Sequence, residues 1–515
     1  MFARNTKQSV LAAAALMLGL TYASHCNAAC TPQDVEGPTP KDPVFRLLAA
    51  QDSCPRNATE LIDALKRSGA RSEPTMVNFA GFHNPGAFFI FEIVTNEGAP
   101  PSGLTIARGD FLFGHFTTTR NGSLVPVQRG LMIELIAWDP DKQFYNFYDV
   151  VSSKWIYRGD SAKILDNVTL LHRRRDGGQA GFSGELRCSR CHVNGGLIQK
   201  ELAPPHNDWF VQNRHLPLDK LKPDPFVQGR LNAMLDADEL SKLVKASAQR
   251  LADSPKYQKP LAARTMQERL RPLFCPMELN IESDSEPVDD EKPALRVPSA
   301  FFADTRLATA DISIDRKHYD AAVGKLKSQL PLPERPKRPD ADHGWLTPVK
   351  ANSDVVAVEN LIRQGTVTRE FAVAVLAVDF TNPVFSKARC DLLKLVPDQP
   401  GPDFVTRFEG ALRGASGPAA AELLKNLTDP ARNTALHQKQ AAEFLQACQK
   451  RAKDRDAVLG WYRLLAQRRI EVSQNEISED PDRHILEDPD RVVFPSTEPA
   501  AEAGQLALTL DCEVK

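Results

Sequence analysis

Five residues near the middle of the chain could bind a cofactor covalently. Cys188 and Cys191 are three residues apart, and His192 follows directly. Thiols at this spacing can each add across one vinyl group of a haem, and a histidine after the second thiol lies where a ring nitrogen can reach the iron. The motif therefore predicts one covalent haem c, with both cysteines as attachment points and His192 as the proximal iron ligand.

Three other interpretations of the same residues remain open. A structural zinc site needs two more ligands at close spacing, and the sequence has no second C-x-x-C and no paired histidines to supply them. A thioredoxin-like redox pair is expected inside a βαβ pattern, which the sequence does not contain. A disulfide between Cys188 and Cys191 is geometrically possible, but it would leave His192 without a role.

The residue opposite His192 decides between two kinds of function. A strong-field sixth ligand favours electron transfer, whereas an open iron favours catalysis or gas binding. His206 is the tentative distal ligand, because it lies 14 residues after His192 and an extended segment of that length spans up to roughly 46 Å. The alternative for His206 is a solvated loop histidine beside two prolines.

Other side chains are weaker candidates for contact with the haem. His83 and His115 lie in an aromatic region and could line a distal pocket, although His115 alternates with Phe113 and could share its core face. Met266 and Met277 follow at the distance where small cytochromes have an axial methionine. Both are interpreted as packing residues on helix faces.

The N-terminal segment predicts export. Arg4 and Lys7 precede an apolar run from Val10 to Leu20, and small residues follow around Ala23 to Ala29. This order is typical of a secretory signal peptide, which we assign to residues 1–28. The run is too short to cross a bilayer, and no later run of about 18 apolar residues follows it, so we expect no membrane span after cleavage. Since haem is attached covalently outside the bacterial inner membrane, the expected compartment is the periplasm.

Composition limits the partners that the protein can have. Lys and Arg total 64, Asp and Glu total 66, and the formal net charge is -2. Nothing in this balance favours nucleic acid or an anionic membrane. We therefore expect haem and a redox partner protein in the periplasm. A chain of 515 residues exceeds what one core can serve, which predicts two or three domains.

The remaining cysteines agree with an oxidising compartment. Of nine cysteines, two lie in the motif and Cys26 lies in the signal peptide, which leaves six. An even number in an exported protein predicts three disulfides, although buried thiols are the alternative for any pair. Short separation favours the first pair, a shared position in the helical half favours the second, and the third is what remains: Cys30–Cys54, Cys390–Cys448 and Cys275–Cys512.

The pattern along the chain predicts an α+β fold. A Pro-rich arm with two short helices, residues 29–75, precedes a β-rich haem domain over residues 76–220. Its first part contains about six antiparallel strands, with a two-residue hairpin turn at Asn121-Gly122. Helical periodicity dominates afterwards. The later segments are a helical region, a Pro-rich linker, a helical bundle and a weakly structured acidic tail: 221–330, 331–350, 351–472 and 473–515.

Aromatic residues are concentrated in the predicted sheet. Of the 37 in the chain, 15 fall between Phe79 and Tyr157. They could fill a large sheet core. They could instead form the apolar wall of a haem pocket, since flat hydrophobic side chains bury a porphyrin well.

Two resemblances follow from these residues. A β-rich segment ending in Trp155-Ile156-Tyr157 and followed by a single C-x-x-C-H is similar to the β-sheet monohaem cytochromes that oxidise hydroxylamine or bind nitric oxide. In those enzymes a strand lysine bonds the porphyrin. The lysines available here are Lys142, Lys154 and Lys163, and none of them lies in an alignable motif, so the cross-link is not carried over.

The second resemblance is more literal. Cys188-x-x-Cys191-His192-x-x-Gly195-Gly196-Leu197-Ile198-x-Lys200-Glu201-Leu202 looks like a group of uncharacterised bacterial periplasmic monohaem proteins. Members of that group tend to have methionine before the Lys-Glu pair, whereas this chain has Gln199. If that methionine serves the iron there, it cannot do so here.

Three classes of function agree with the sequence. Electron transfer by one haem in the periplasm ranks first. A haem enzyme or gas binder with an open distal site, acting on peroxide, nitric oxide or hydroxylamine, ranks second. A partner-binding protein with an ancillary haem ranks third, because some 300 residues follow the motif.

Overall fold

The computed structural model describes residues 30–79, 87–96, 104–165, 188, 192, 194–197, 222–235, 237–276, 278–280, 294–329, 349–382, 386–479, 491–493 and 506–515. The predicted signal peptide and most of the Pro-rich linker lie outside these residues. Among the helices in these ranges, none is long and apolar enough to cross a membrane. The predicted α+β class is confirmed, with an antiparallel sheet in the N-terminal half and helices in the C-terminal half.

Two short helices precede the sheet, as predicted. Helix α1 spans Pro43–Ala49 and helix α2 spans Ala58–Arg67. The Asp42 carboxylate accepts a hydrogen bond from the backbone N–H of Phe45, and the Asn57 side chain accepts one from Glu60. These side chains satisfy donors that the first turn of a helix leaves unpaired, so the sequence itself fixes where both helices begin.

The sheet is larger than predicted and begins at Arg71 rather than Met76. Its long strands follow the order β1-β2-β3-β5-β6-β7, and neighbouring strands in this order are antiparallel. Strand β4 pairs with β3 through the predicted hairpin, in which Asn121 and Gly122 both have positive φ, and β8 pairs with β4. The strands are β1 Arg71–Phe79, β2 Ala87–Thr95, β3 Phe111–Arg120, β4 Ser123–Pro126, β5 Leu131–Asp139, β6 Phe144–Val151, β7 Lys154–Asp160 and β8 Lys222–Pro223.

Both faces of the sheet are buried. Alternation along β6 directs Tyr148 and Val150 to a core shared with α1 and α2, and directs Tyr145 and Phe147 to the other side. The second core includes Leu251 and Tyr257 from later helices, and we call this side of the sheet the motif face. The dense aromatic residues therefore serve two cores rather than one.

Helices and two small sheets form most of the later residues that the structure describes. The helices are α3 Pro225–Asn232, α4 Ala237–Asp253, α5 Pro255–Ala262, α6 Met266–Phe274, α7 Arg316–Gln329, α8 Asn352–Arg363, α9 Arg369–Ala377, α10 Lys387–Asp391, α11 Phe404–Gly414, α12 Pro418–Thr428, α13 Pro430–Arg451 and α14 Arg455–Glu479, with short 3-10 turns at Ser299–Phe301 and Leu392–Leu395. The small sheets pair β10 Ala294–Val297 with β11 Ile312–Asp315, and β9 Glu278–Asn280 with β12 Val349–Lys350 and β13 Arg491–Val493.

Helix α9 lies at the centre of the helical half, as its apolar sequence predicts. Thr368 caps it by accepting a hydrogen bond from the Phe371 backbone, and every residue from Phe371 to Ala377 is buried. A helix with apolar side chains on every side has no face suited to water, so other elements must surround it. Helices α12 and α13 pack against it.

The described residues contain three disulfides, as predicted, but two of the predicted pairings are wrong. Cys30 pairs with Cys54, as expected from their short separation. The other pairs are Cys275–Cys390 and Cys448–Cys512, not Cys390–Cys448 and Cys275–Cys512. Cys275 follows α6 and shares a core with Cys390, whereas Cys448 on α13 shares a different core with Cys512. The folding of two separate helical cores therefore decides the pairing.

The predicted weakly structured tail is corrected at its end. Leu506, Leu508 and Cys512 are buried in the core that contains Trp461, and Trp461 Nε1 donates to the Cys512 carbonyl at 3.2 Å. The Cys448–Cys512 disulfide holds this end of the chain on α13. The acidic composition of the predicted tail gave no sign that these few apolar residues at its end would be buried.

A buried carboxyl group joins α1 to the sheet. Asp42 Oδ2 accepts hydrogen bonds from Tyr148 Oη at 2.5 Å and Asn146 Nδ2 at 2.6 Å, and Asp42 is fully buried. Burial raises the pKa of Asp42 to about 6, and the hydrogen bonds from Tyr148, Phe45 and Asn146 only partly oppose this. The folded protein therefore binds the Asp42 proton more tightly than the unfolded chain does.

This carboxyl group predicts a pH dependence of stability. Since the pKa of Asp42 is raised from 3.8 to about 6, its contribution is fully present below about pH 4 and is lost as the pH rises through about 6. Relative to Asp42→Asn, the free energy of unfolding of the natural protein should fall by roughly 3 kcal/mol across this window. Urea unfolding in a pH series measures the difference, with Asp63→Asn on α2 as the exposed control. Parallel curves for the natural protein and Asp42→Asn would contradict the expectation.

Candidate functional site

Two of the three motif residues proposed for haem attachment lie within the described residues. These are Cys188 and His192, whereas Cys191 and the tentative distal ligand His206 lie outside them. The backbone N–H of His192 donates to the Cys188 carbonyl at 2.9 Å, which holds the two ends of the motif together. The partly buried Cys188 side chain packs against the core of the motif face.

The His192 ring is held in one orientation. Its Nδ1 lies 2.8 Å from the Gly196 carbonyl oxygen, which can only accept, so Nδ1 carries the proton and donates. Burial lowers the pKa of His192, and the bond to Gly196 opposes this shift. The imidazole is therefore neutral with its lone pair on Nε2, which bonds to no described residue. Its ring centroid lies 5.2 Å from that of Phe147 on β6.

Three successive carbonyl groups after the motif each accept one side-chain hydrogen bond. Tyr257 Oη on α5 donates to the Asn194 carbonyl at 2.7 Å, and Ser161 Oγ donates to the Gly195 carbonyl at 2.6 Å. His192 Nδ1 donates to the third carbonyl, that of Gly196. The segment is thus fixed from the sheet on one side and from the helices on the other.

Glycine is required at one position of this segment, and the glycine after it lies close to a neighbouring side chain. Gly195 has a φ of 71°, and an added Cβ would lie 2.5 Å from the Ser161 carbonyl oxygen. An added Cβ at Gly196 would lie 2.9 Å from Leu251 Cδ2 on α4. The close backbone approach at Gly195 is possible only without a side chain. The Gly-Gly pair therefore lets the segment lie between the end of β7 and α4.

Secondary structure explains how the supporting residues reach the segment. Ser161 begins a short helical turn at residues 161–165, directly after β7, and its Oγ also accepts a hydrogen bond from the Tyr145 backbone at 2.9 Å. Tyr257 lies in the first turn of α5, where the Ser254 side chain caps the helix. Sequence reasoning did not find Ser161 or Tyr257. The Gly-Gly pair was the available signal that something approaches the backbone closely here.

The other candidate residues contact different parts of the fold. His115 Nε2 lies 3.1 Å from Glu92 Oε1 in a buried cluster that Arg230 completes, and the His115 ring packs beside Phe113, as the alternative prediction stated. Met266 is buried on α6 in the helical half, in agreement with a packing role.

The lysines considered for a porphyrin cross-link are also engaged elsewhere or exposed. Lys142 Nζ lies 3.2 Å from Asp160, Lys163 Nζ lies 2.9 Å from Glu36, and Lys154 is exposed. Within the part of the chain that the structure describes, no group of three or more His, Cys, Asp or Glu side chains could hold a metal ion.

The close approach at Gly195 gives a stability prediction with a matched control. Gly195→Ala should lower the free energy of unfolding by about 1–3 kcal/mol more than Gly365→Ala, because the added methyl group must displace backbone atoms. Gly365 has nearly the same φ, 69°, but nothing lies within 4 Å of its added Cβ. Urea unfolding of both variants measures the difference. Equal losses would mean that the Gly195 contact is not tight.

Comparisons with known proteins identify no relative of this chain. No family model, curated protein or solved structure matches the chain. The similarity to monohaem cytochromes therefore stays a prediction.

Proposed function

We propose that this protein is a periplasmic c-type cytochrome that carries one covalent haem and transfers electrons. The observation that carries the proposal is the His192 ring, whose Nδ1 bonds to the Gly196 carbonyl at 2.8 Å. Histidines that bind a metal almost always donate their second ring N–H to a carbonyl or carboxylate, which fixes the tautomer and raises the basicity of the other nitrogen. Nε2 of His192 is left in the state that an iron ligand needs.

The local residues fit a covalently attached haem. Cys188 and Cys191 would each form a carbon–sulfur bond to one vinyl group, with the thiol proton passing to the adjacent carbon and no net oxidation. The His192 backbone is hydrogen-bonded to the Cys188 carbonyl, so the histidine is close enough for its Nε2 to bind the iron of a porphyrin attached at Cys188. Phe147 and the apolar residues around Cys188 offer the flat, water-poor surface that such a group requires.

Aromatic packing on the motif face favours electron transfer. When bound, haem supplies an iron that alternates between ferric and ferrous states. Phe147 lies beside His192, and Tyr145 shares its side of β6. The Tyr145 ring centroid lies 5.1 Å from that of Trp138, which is partly exposed under the Arg250 guanidinium. The Phe147–His192 pair and the Trp138–Tyr145 pair therefore lie on the same side of the sheet, and Trp138 reaches the surface.

The disulfides support the proposed compartment. Cys30–Cys54, Cys275–Cys390 and Cys448–Cys512 are the kind of bond that persists outside the cytoplasm. Together with the predicted signal peptide of residues 1–28, they favour the periplasm, where covalent haem attachment takes place. The expected partners are haem and a redox protein of the same compartment.

Mass spectrometry of the exported protein tests the attachment. We expect the mass of the chain after signal cleavage plus one haem, and the absorption bands of a haem protein. The double variant Cys188→Ser, Cys191→Ser should lose the covalent mass, because a hydroxyl group does not form the thioether. Ser189→Ala, inside the same five residues, is the control and should keep it. An unmodified natural protein would overturn the proposal.

Absorption spectra test the electron-transfer role. Reduced bands that carbon monoxide does not shift would indicate a strong sixth ligand and an electron carrier. Bands that shift would indicate an open iron and favour the haem enzyme or gas binder instead. If His206 is the distal ligand, His206→Ala should convert the first spectrum into the second, and an unchanged spectrum would eliminate His206.

A further inference from the structure

We propose that Tyr257 and Ser161 are positioning residues that set the reduction potential of the iron bound to His192. The inference rests on the proposed function and assigns a role to residues on two different elements. Neither side chain touches the His192 ring. Tyr257 holds the Asn194 carbonyl at 2.7 Å and Ser161 holds the Gly195 carbonyl at 2.6 Å, and these are the two carbonyl groups that precede the one accepting the hydrogen bond from His192.

The backbone transmits this constraint over one or two residues. Peptide groups are planar, so fixing the Asn194 and Gly195 carbonyls leaves few rotations by which the Gly196 carbonyl could turn away from His192. Glycine would normally allow such rotations. Ser161 backbone atoms lie so close to Gly195 that an added Cβ would be 2.5 Å from the Ser161 carbonyl oxygen, which leaves this residue little room to move. The hydrogen bonds from Tyr257, Ser161 and His192, together with this close approach, therefore favour one direction of the Gly196 carbonyl.

The direction of that carbonyl controls how strongly His192 donates electrons. A short, well-aligned bond from Nδ1 to the Gly196 oxygen increases the negative character of the ring and the basicity of Nε2. A more basic axial nitrogen stabilises ferric over ferrous iron, which lowers the reduction potential. Loosening the carbonyl weakens the bond, and the potential should rise.

The Tyr257 hydroxyl can be removed with little loss of packing. The Tyr257 ring lies in the core of the motif face, with its centroid 6.5 Å from that of Phe144. Burial raises the pKa of Tyr257, so the hydroxyl stays protonated and acts as a donor. Tyr257→Phe keeps the ring and releases only the Asn194 carbonyl. Losing one such hydrogen bond lowers the free energy of unfolding by about 1 kcal/mol, which the fold can tolerate.

The experiment measures the midpoint reduction potential of purified haem-loaded variants by spectroelectrochemistry. Tyr257→Phe and Ser161→Ala should each raise the equilibrium constant for iron reduction, by up to about tenfold, which corresponds to 59 mV for one electron. Ser161→Ala also removes the acceptor of the Tyr145 N–H, so Tyr257→Phe is the cleaner variant.

Tyr148→Phe is the matched control. It removes a buried tyrosine hydroxyl that bonds to Asp42 at 2.5 Å on the opposite side of the sheet. Its stability loss should be comparable, while its potential should equal that of the natural protein. Stability is followed by urea unfolding of the same samples.

The outcomes separate this inference from the proposed function. Absence of covalent haem in the natural protein would overturn both. Haem at full occupancy with unchanged potentials in Tyr257→Phe and Ser161→Ala would overturn the positioning role alone. A rise in Tyr148→Phe equal to that in Tyr257→Phe would also overturn it, because any lost hydroxyl would then suffice. Failure of both site variants to fold would assign the hydroxyls a purely structural role and would overturn the proposal as well.

Discussion

Close backbone approach at Gly195 is the constraint on which the site depends. An added Cβ there would lie 2.5 Å from the Ser161 carbonyl oxygen, so the segment can lie against the end of β7 only without a side chain. That contact brings Ser161 Oγ within 2.6 Å of the Gly195 carbonyl, and it directs the next carbonyl toward His192. The histidine is therefore oriented by a main-chain carbonyl group rather than by another side chain.

The helical half supports this segment from the other side. Helix α5 supplies Tyr257, and α4 supplies the Leu251 contact with Gly196. Helix α8 braces both, because Asn360 Nδ2 donates to the Ala252 carbonyl at 3.2 Å and Gln364 Nε2 lies 3.0 Å from Gln258 Oε1. The helical region is thus part of what holds the motif face in place.

Local signals predicted the parts of this fold that depend on neighbours in sequence. The Asn121-Gly122 turn and the Cys30–Cys54 disulfide both join residues that are close along the chain. The contacts missed by the sequence join distant residues. Ser161 and Tyr257 reach the segment over separations of 34 and 63 residues, and Cys275 pairs with Cys390 over 115. The entropic cost of closing a long loop changes little with its length, so many distant pairings cost about the same. The packing of the folded chain, and not the sequence pattern, therefore decides which pairs form.

Strand β6 links the two halves of the N-terminal domain in a way that its sequence alone does not reveal. Neighbouring residues of a strand point to opposite faces, so Phe147 meets His192 while Tyr148 bonds to the buried Asp42 at the start of α1. A shift of this strand by one residue would exchange the two environments, burying the Tyr148 hydroxyl beside the histidine and removing the partner of Asp42. The polar cluster under α1 therefore specifies the register that presents an apolar ring to the motif. Aromatic density in the sheet reflects this double requirement rather than one pocket wall.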